Sequence, residues 1–251
     1  MQVAAIIPAA GQGTRLGGQT KKQFRLLAGK PLLVRTLERV LSAREVRWLV
    51  VAVPESHLDI CHEMLQEVVP AGIEWVVTVG GTTRQQSVAA GLLEVPPEAP
   101  VVTVHDAARP SLDPLWITQT ADLCREFDGA IVAVPTVDTL KEVKLTAGRS
   151  QKHGGVIGRT ISRDIIWQAQ TPQTFRTDVL RRALQHAQEA GLEGTDEASL
   201  VEAIGGRVAI VRGSAQNIKV TSRDDWEYLE WKLSQPGGYQ GMAVREAPSN
   251  G

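Results

Sequence analysis

Val3-Ala4-Ala5-Ile6-Ile7-Pro8-Ala9-Ala10-Gly11-Gln12-Gly13-Thr14-Arg15 is the stretch whose reading decides the fold. The apolar run Val3 to Ile7 is too short for a buried helix and reads as a buried strand stopped at Pro8. It opens into small residues and glycines, a loop that continues to about Gln23. Outward from it the same unit repeats. Pro31 opens a helical pattern carrying Leu32, Leu33, Leu37, Val40 and Leu41. Strand Trp48–Val53 follows, then a helix marked by Leu58, Met64, Leu65 and Val68, and strand Ile73–Val79. A helix Ser87 to Leu93, strand Val101–His105, helix Pro114 to Phe127 and strand Ala130–Val134 continue the alternation. Strands separated by helices need right-handed crossovers, which predicts an α/β, Rossmann-like, mainly parallel sheet with helices on both faces. In such sheets ligands sit beyond the carboxyl ends of the strands. The loops after Ile7, Val79 and Val104 are therefore the ones to read for chemistry.

From Val137 to about Arg163 the pattern changes. Apolar residues become sparse and paired, and Gly148, Gly154 and Gly155 punctuate. This predicts a two-stranded excursion, which is marginal alone and must pack on something. Beyond Trp167 we expect helices near Thr177–Ala190 and Glu197–Ala203, strands Val208–Val211 and Asn217–Val220, and a helix Asp224–Leu233. The expected organisation is a single domain over 1–234 with the excursion at about 137–163, and a Gly- and Pro-containing disordered tail over 235–251.

Bulk properties narrow the function classes. The 251 residues carry a formal net charge of -1, which gives no overall electrostatic grip on nucleic acid or an anionic membrane. No apolar stretch approaches bilayer length. The start lacks a basic region ahead of its apolar run, so it reads as a first strand and not a signal peptide. Cys61 and Cys124 stand far apart and outside any ligand spacing, against a zinc site or disulfide framework and in keeping with a cytoplasmic location.

The chemistry is concentrated in three loops. In the first, small residues let the backbone approach a phosphate chain, and Arg15 and Lys22 add cations. A bare Gly-x-Gly is more often only a tight strand-to-helix turn. A dinucleotide-binding reading lacks its third glycine, because position 16 is Leu, and lacks a ribose-binding acid after the second strand. The second loop, Gly80-Gly81-Thr82-Thr83-Arg84-Gln85-Gln86-Ser87, ends a strand and starts a helix, with Thr82 or Thr83 as cap. The third, His105-Asp106-Ala107-Ala108-Arg109-Pro110, puts Asp106 at a strand end, where it suits Mg²⁺, a hydroxyl or simply a turn.

Ala-Ala-Gly-x-Gly-x-Arg followed by Lys22 resembles the opening loop of the sugar-phosphate nucleotidyltransferases, with Lys21 where those enzymes usually have Pro. With Asp138-Thr139-Leu140-Lys141, Arg163, Gln170-Thr171-Pro172-Gln173, Thr195-Asp196-Glu197-Ala198 and Asn217-Ile218-Lys219-Val220-Thr221, the ordered set resembles the methylerythritol phosphate cytidylyltransferase family from Val3 to about Leu233. That resemblance implies a CTP-dependent enzyme that uses Mg²⁺ or another divalent cation. It implies a cytidine pocket at Ala9, Ala10, Gly11, Gly13, Gly81, Thr82 and Ser87, with Thr82 where the family often has an acid. It assigns Arg15, Lys22, Arg163 and Lys219 to catalysis, Arg15 and Lys22 acting on the α-phosphate. Asp106 would hold the metal or a substrate hydroxyl. Ala107, Arg109, Thr139, Thr171, Thr195 and Thr221 would surround the sugar-alcohol phosphate. The excursion would be a β-arm that crosses a homodimer and carries Thr139 and Arg163 to the partner's site. The competing readings are ribitol 5-phosphate cytidylyltransferase, an NAD(P)-binding oxidoreductase and a non-catalytic nucleotide sensor. None of the five histidines is given a catalytic role.

Overall fold

A computed structural model describes residues 1–11, 21–144 and 155–235. Strand β1 (Val3–Pro8) is followed by a two-residue hairpin, β2 (Leu26–Leu27) with β3 (Lys30–Pro31), and by α1 (Leu32–Leu41). Next come β4 (Val46–Val53), α2 (Leu58–Val68), β5 (Glu74–Val79), α3 (Arg84–Leu93), β6 (Val101–Val104), α4 (Leu115–Leu123) and β7 (Gly129–Pro135). The excursion supplies β8 (Leu140–Lys144) and β9 (Val156–Ile161). The chain then returns through β10 (Trp167–Arg176), α5 (Thr177–Ala190), α6 (Glu197–Ala203), β11 (Val208–Arg212) and α7 (Arg223–Ser234).

Seven strands form the central sheet in the order β11-β7-β10-β6-β1-β4-β5. The ladders β11–β7, β6–β1, β1–β4 and β4–β5 are parallel, whereas β10 runs antiparallel to both β6 and β7. The side-chain alternation of β1 shows why helices cover both faces. Val3, Ala5 and Ile7 enter one core with residues of α1, α2 and α4. Ala4 and Ile6 enter the other with α3, α5 and α6. All five are fully buried, and each larger side chain contributes roughly 1.5–3 kcal/mol by leaving water. Helix α3 lies so close to β1 that a Cβ on Gly91 would stand 2.7 Å from Ile6 Cγ2. Cys61 and Cys124 are buried thiols, and burial pushes both up to about 12.

Three expectations need correction. The segment Trp167–Arg176 is the longest strand and sits in the middle of the sheet, although no strand is predicted there. Its polar run with Pro172 does not alternate, and the register explains why it is still a strand. Ala169 faces Ala133 and Gln173 faces Ile131, so residues 170–172 bulge out of the ladder where a proline is tolerated. Second, Asn217–Val220 forms no strand; Val220 N–H donates to Ala108 O at 2.8 Å, but no ladder extends from that bond. The α4 helix ends at Leu123 instead of Phe127, with Cys124–Phe127 in turns.

The excursion is a separate two-stranded antiparallel sheet, β8 with β9, in which every described residue except Leu140 and Ile161 is exposed at strand positions. A third small core, made by Leu27, Leu32, Ala108, Val220, Trp226 and Leu229, pins α7 and the 217–221 segment against the loop after β6. Among the described residues no helix is long and apolar enough to cross a membrane. Residues 236–251, expected to be a tail, lie outside the described residues.

Candidate active site

The strand ends place two adjoining clefts on one side of the sheet. The first holds about 260 Å³. Its floor is the small-residue end of β1, Pro8 to Gly11, with Ala107 and Ala108 beside it and Ser87 of α3 opposite. Ala9 N–H donates to Ala52 O at 2.7 Å, which keeps this loop in register with β4. Buried Gln23 fixes the other side, its amide donating to Gly11 O at 3.0 Å and also to Ala9 O. Gly80 is required by closeness: a Cβ there would lie 2.5 Å from Ala10 Cβ and 2.9 Å from Ser87 Oγ. Helix α3 begins with a capping box between Thr83 and Gln86, which fixes the start of the helix just after β5.

The second cleft, about 230 Å³, is made where β10 bulges. Gln170, Thr171 and Gln173 face Arg109, Thr195 and Asp196 across it. Arg84, Asp106 and Lys219 line both clefts and form the wall between them. Asp106 Oδ1 meets Arg84 Nε at 2.9 Å, and its Oδ2 meets Lys219 Nζ at 2.8 Å and Arg109 Nε at 3.6 Å. Arg84 reaches on to buried Glu197, with Nη1 at 2.6 Å and 2.8 Å from its two carboxylate oxygens. Burial alone would raise the Asp106 carboxyl, but Arg84, Lys219 and Arg109 outweigh it and hold Asp106 well below the usual carboxylate range. Arg84 is likewise held more firmly protonated than usual, because Glu197 and Asp106 overcome its own burial. Lys22 faces the first cleft and donates to Val220 O.

The expected site residues are distributed unevenly over this geometry. Ala9, Ala10, Gly11, Lys22, Ser87 and Ala107 line the first cleft, and Arg109, Thr171 and Thr195 line the second, with Asp106 and Lys219 shared. Gly81 and Thr82 flank the first cleft without lining it, and the Thr82 hydroxyl donates to Gln86 Oε1 at 2.7 Å. Thr221 is turned away to the start of α7, its hydroxyl donating to Asp225 Oδ2 at 2.8 Å. Thr139 and Arg163 are exposed at the base of the excursion and line neither cleft; Arg163 donates to Val137 O. Gly13 and Arg15 lie outside the described residues.

The donors do not fit a metal held by the protein. Both Asp106 oxygens already face cations, and no group of three His, Cys, Asp or Glu side chains gathers among the described residues. In this arrangement Asp106 stands as the counter-ion of Arg84, Lys219 and Arg109.

Sequence reasoning missed Arg84, Glu197, Gln23 and Gln173. Arg84 did leave a signal, because a cation in the first turn of a helix opposes the macrodipole and needs a reason. Glu197 stands in the Thr195–Ala198 string but gives no sign of its role there, since an acid in the first turn of α6 is favourable without any further function.

The comparisons with known proteins agree with one another. The model of the 2-C-methyl-D-erythritol 4-phosphate cytidylyltransferase family matches residues 3–235. The enzyme of that name from Acidobacterium capsulatum is 42% identical over 94% of this chain and 98% of its own. The one from Burkholderia cenocepacia is 43% identical over 92% and 96%. Among solved structures, the 4-diphosphocytidyl-2C-methyl-D-erythritol synthase of Anaerococcus prevotii superposes with a TM-score of 0.77 at 25% identity, covering 93% of this chain and 99% of that one. The Thermus thermophilus 2-C-methyl-D-erythritol 4-phosphate cytidylyltransferase gives 0.71 at 31% identity, covering 97% and 100%.

Proposed function

The chain belongs to the 2-C-methyl-D-erythritol 4-phosphate cytidylyltransferase family, and from that premise we infer how its two clefts divide the work. The enzyme transfers the cytidylyl group of CTP to 2-C-methyl-D-erythritol 4-phosphate, giving 4-diphosphocytidyl-2-C-methyl-D-erythritol and pyrophosphate, a step of the non-mevalonate route to isoprenoid precursors. The first cleft takes CTP. Its small-residue floor lets backbone groups read the pyrimidine edge, Ser87 contacts the base, and the cramped space between Ala10 and Gly80 excludes a purine. The second cleft takes the sugar-alcohol phosphate, with Arg109, Thr195 and Lys219 as its donors and Thr171 as part of its wall.

The acceptor phosphate oxygen attacks the α-phosphorus of CTP and pyrophosphate departs. The nucleophile is already an anion, so no general base is needed. His105 is fully buried and reaches neither cleft, so it cannot serve as one. What the reaction needs is alignment and charge neutralisation. The first cleft presents Lys22, Arg84 and Lys219 against the single carboxylate of Asp106 among its described lining, an excess suited to a triphosphate. The family resemblance assigns Arg15 to the same charge neutralisation. The divalent cation, Mg²⁺ in this proposal, arrives on the phosphates of CTP as part of the substrate, and no step is assigned to a metal held by the protein.

The observation that carries this reading is the shared wall: Asp106 and Lys219 touch both clefts, so two phosphorylated substrates meet across one pair of charges. The excursion completes the second cleft from outside. It would pair with a second copy about a twofold axis and bring Thr139 and Arg163 to the partner's acceptor, which accounts for an exposed two-stranded element so poor in apolar surface. A cytoplasmic enzyme without a membrane or nucleic-acid partner is consistent with the near-neutral charge. Pyrophosphate release should be measured with CTP, ATP, GTP and UTP against both methylerythritol and ribitol phosphates. The expected result is turnover with CTP and the methylerythritol acceptor, abolished by excess EDTA. Comparable turnover of ATP, or preference for the ribitol acceptor, overturns the assignment.

A further inference from the structure

His105 closes β6 and is fully buried, yet every polar atom of its ring is used. Nε2 lies 3.0 Å from Arg109 O, and Nδ1 lies 3.0 Å from Thr171 Oγ1. Thr171 Oγ1 in turn receives Asp106 N–H at 3.1 Å. A carbonyl oxygen can only accept, so Nε2 carries the proton. Burial lowers the imidazole to about 4 against the opposing effects of its bond to the Arg109 backbone and of Asp106, with the Arg109 and Arg84 guanidiniums adding smaller downward pushes, so the ring is neutral and Nδ1 is a bare acceptor. The Thr171 hydroxyl must then donate to Nδ1, and its lone pair is what remains for Asp106 N–H. One carbonyl thus sets the direction of two hydrogen bonds, and the third, from a backbone N–H, needs the acceptor they leave free. The turn that carries this carbonyl is closed by Arg109 N–H on Asp106 O at 3.0 Å. From there the order spreads outward: Arg109 Nη1 donates to Asn217 O at 2.6 Å, and Asn217 Nδ2 donates to Thr171 O at 2.8 Å. The loop after β6, the bulge of β10 and the segment before α7 are thereby joined around a residue that no substrate can touch.

We propose that His105 is a positioning residue for the acceptor cleft: held as its Nε2–H tautomer, it fixes Thr171 and the turn from Asp106 to Arg109 in the arrangement that receives the sugar-alcohol phosphate. This rests on the assignment of the second cleft to the acceptor. The CTP cleft shares Asp106, Ala107 and Ala108 with that turn but takes its floor from β1 and Gln23, so the ring should weigh less on it.

The tautomer is read first, on the unmodified enzyme, by ¹⁵N–¹H correlation of histidine-labelled protein between pH 8 and pH 5. One ring should stay neutral throughout, with Nε2 protonated and Nδ1 bare. An Nδ1–H ring, or no non-titrating ring, overturns the proposal whatever the substrate is. Kinetics follow with His105→Phe, which keeps the volume without the bonds, and Thr171→Val, which cuts the chain one link further on. Each should raise the acceptor KM about tenfold, the equivalent of one lost hydrogen bond, while the CTP KM stays within about twofold. The double variant should be no worse than the more damaged single one, and Thr171→Ser should restore the acceptor KM. Should His105→Phe fail to fold, the Thr171 pair carries the kinetic test. An unchanged acceptor KM, or equal rises for both substrates, overturns the proposal. Failure of the cleft assignment itself would look different: the unmodified enzyme would not turn over the methylerythritol acceptor, while the tautomer result would stand.

Discussion

The two clefts share a wall and are built on opposite plans. The CTP cleft is bounded by backbone and small side chains, Pro8 to Gly11 and Ala107 to Ala108, supplied by parallel strands and the start of α3. The cleft proposed for the acceptor is bounded by long polar side chains, Arg109 from the loop after β6 and Gln170 and Gln173 from β10, the strand that runs antiparallel to its neighbours in the central sheet. A wall of backbone resists changes of charge and yields to changes of size. A wall of paired side chains behaves the other way round. Substitutions should therefore sort by cleft.

The largest effect is expected at the phosphates. Lys22→Ala should lower kcat by roughly 100- to 1,000-fold, the usual loss for one preorganised contact to developing charge, with thermal unfolding nearly unchanged. Arg163→Ala should be similarly inactive. Mixing the two variants under conditions that exchange subunits should restore activity, because a crossing arm leaves one of the two sites intact. A mixture that stays inactive breaks the idea that the acceptor cleft is completed by a partner. Next comes the wall. Arg84→Ala leaves Glu197 buried without its cation, which should destabilise the fold by roughly 3 kcal/mol and raise both KM values. Adding Glu197→Gln should recover most of the stability but not the kinetics. A single variant that melts like the parent would show that the clefts are not coupled through Arg84.

How much of this was readable beforehand follows the same division. The CTP cleft is made from local signals: an apolar run, a glycine loop, a helix cap at Thr83. These lie within short stretches of chain and obey strand and helix periodicities. The acceptor cleft depends on residues 66 and 113 positions apart, His105 with Thr171 and Arg84 with Glu197, and on a strand whose bulge at 170–172 breaks any alternation. Asn217–Val220 reads as a strand because it alternates, but its backbone pairs with the loop after β6 through Val220 N–H, its carbonyls take Arg109 and Lys22, and its side chains serve Asp106 and the small core around Trp226. Pairing across such distances leaves no period in the sequence.

The smaller predictions sharpen the contrast. The folded His105 titrates near 4, below its unfolded value, so between about pH 6.5 and 4 only the unfolded chain takes up that proton. Stability should fall as the pH drops through this window, by up to roughly 3 kcal/mol, measurable by denaturant titration. His105→Gln should flatten the slope. The contribution of Asp106, whose folded carboxyl titrates below its ordinary range, is retained across this window and lost only at still lower pH. Smallest is Gly80→Ala, where the new methyl would meet Ala10 and Ser87. It should cost about 1–3 kcal/mol by overpacking and raise the CTP KM several-fold while sparing the acceptor KM. An equal effect on both would mean that the clefts are not built as differently as their linings suggest.

The reversed strand β10 also sets an order of assembly. When the ribosome has delivered residues 1–135, β5, β4, β1 and β6 can pair in parallel, but β6 ends in an open edge and β7 has nothing to join. Both wait for residues 167–176, which slot between them and close the sheet in one event. Until then a nascent chain exposes a β6 edge lined with Val101, Val102 and Val104, a ready template for mispairing. Late closure of this kind has a high contact order and is slow. Chains cut short before Arg176 should thus aggregate during synthesis, whereas a chain that includes β10 joins both halves of its sheet at a single step.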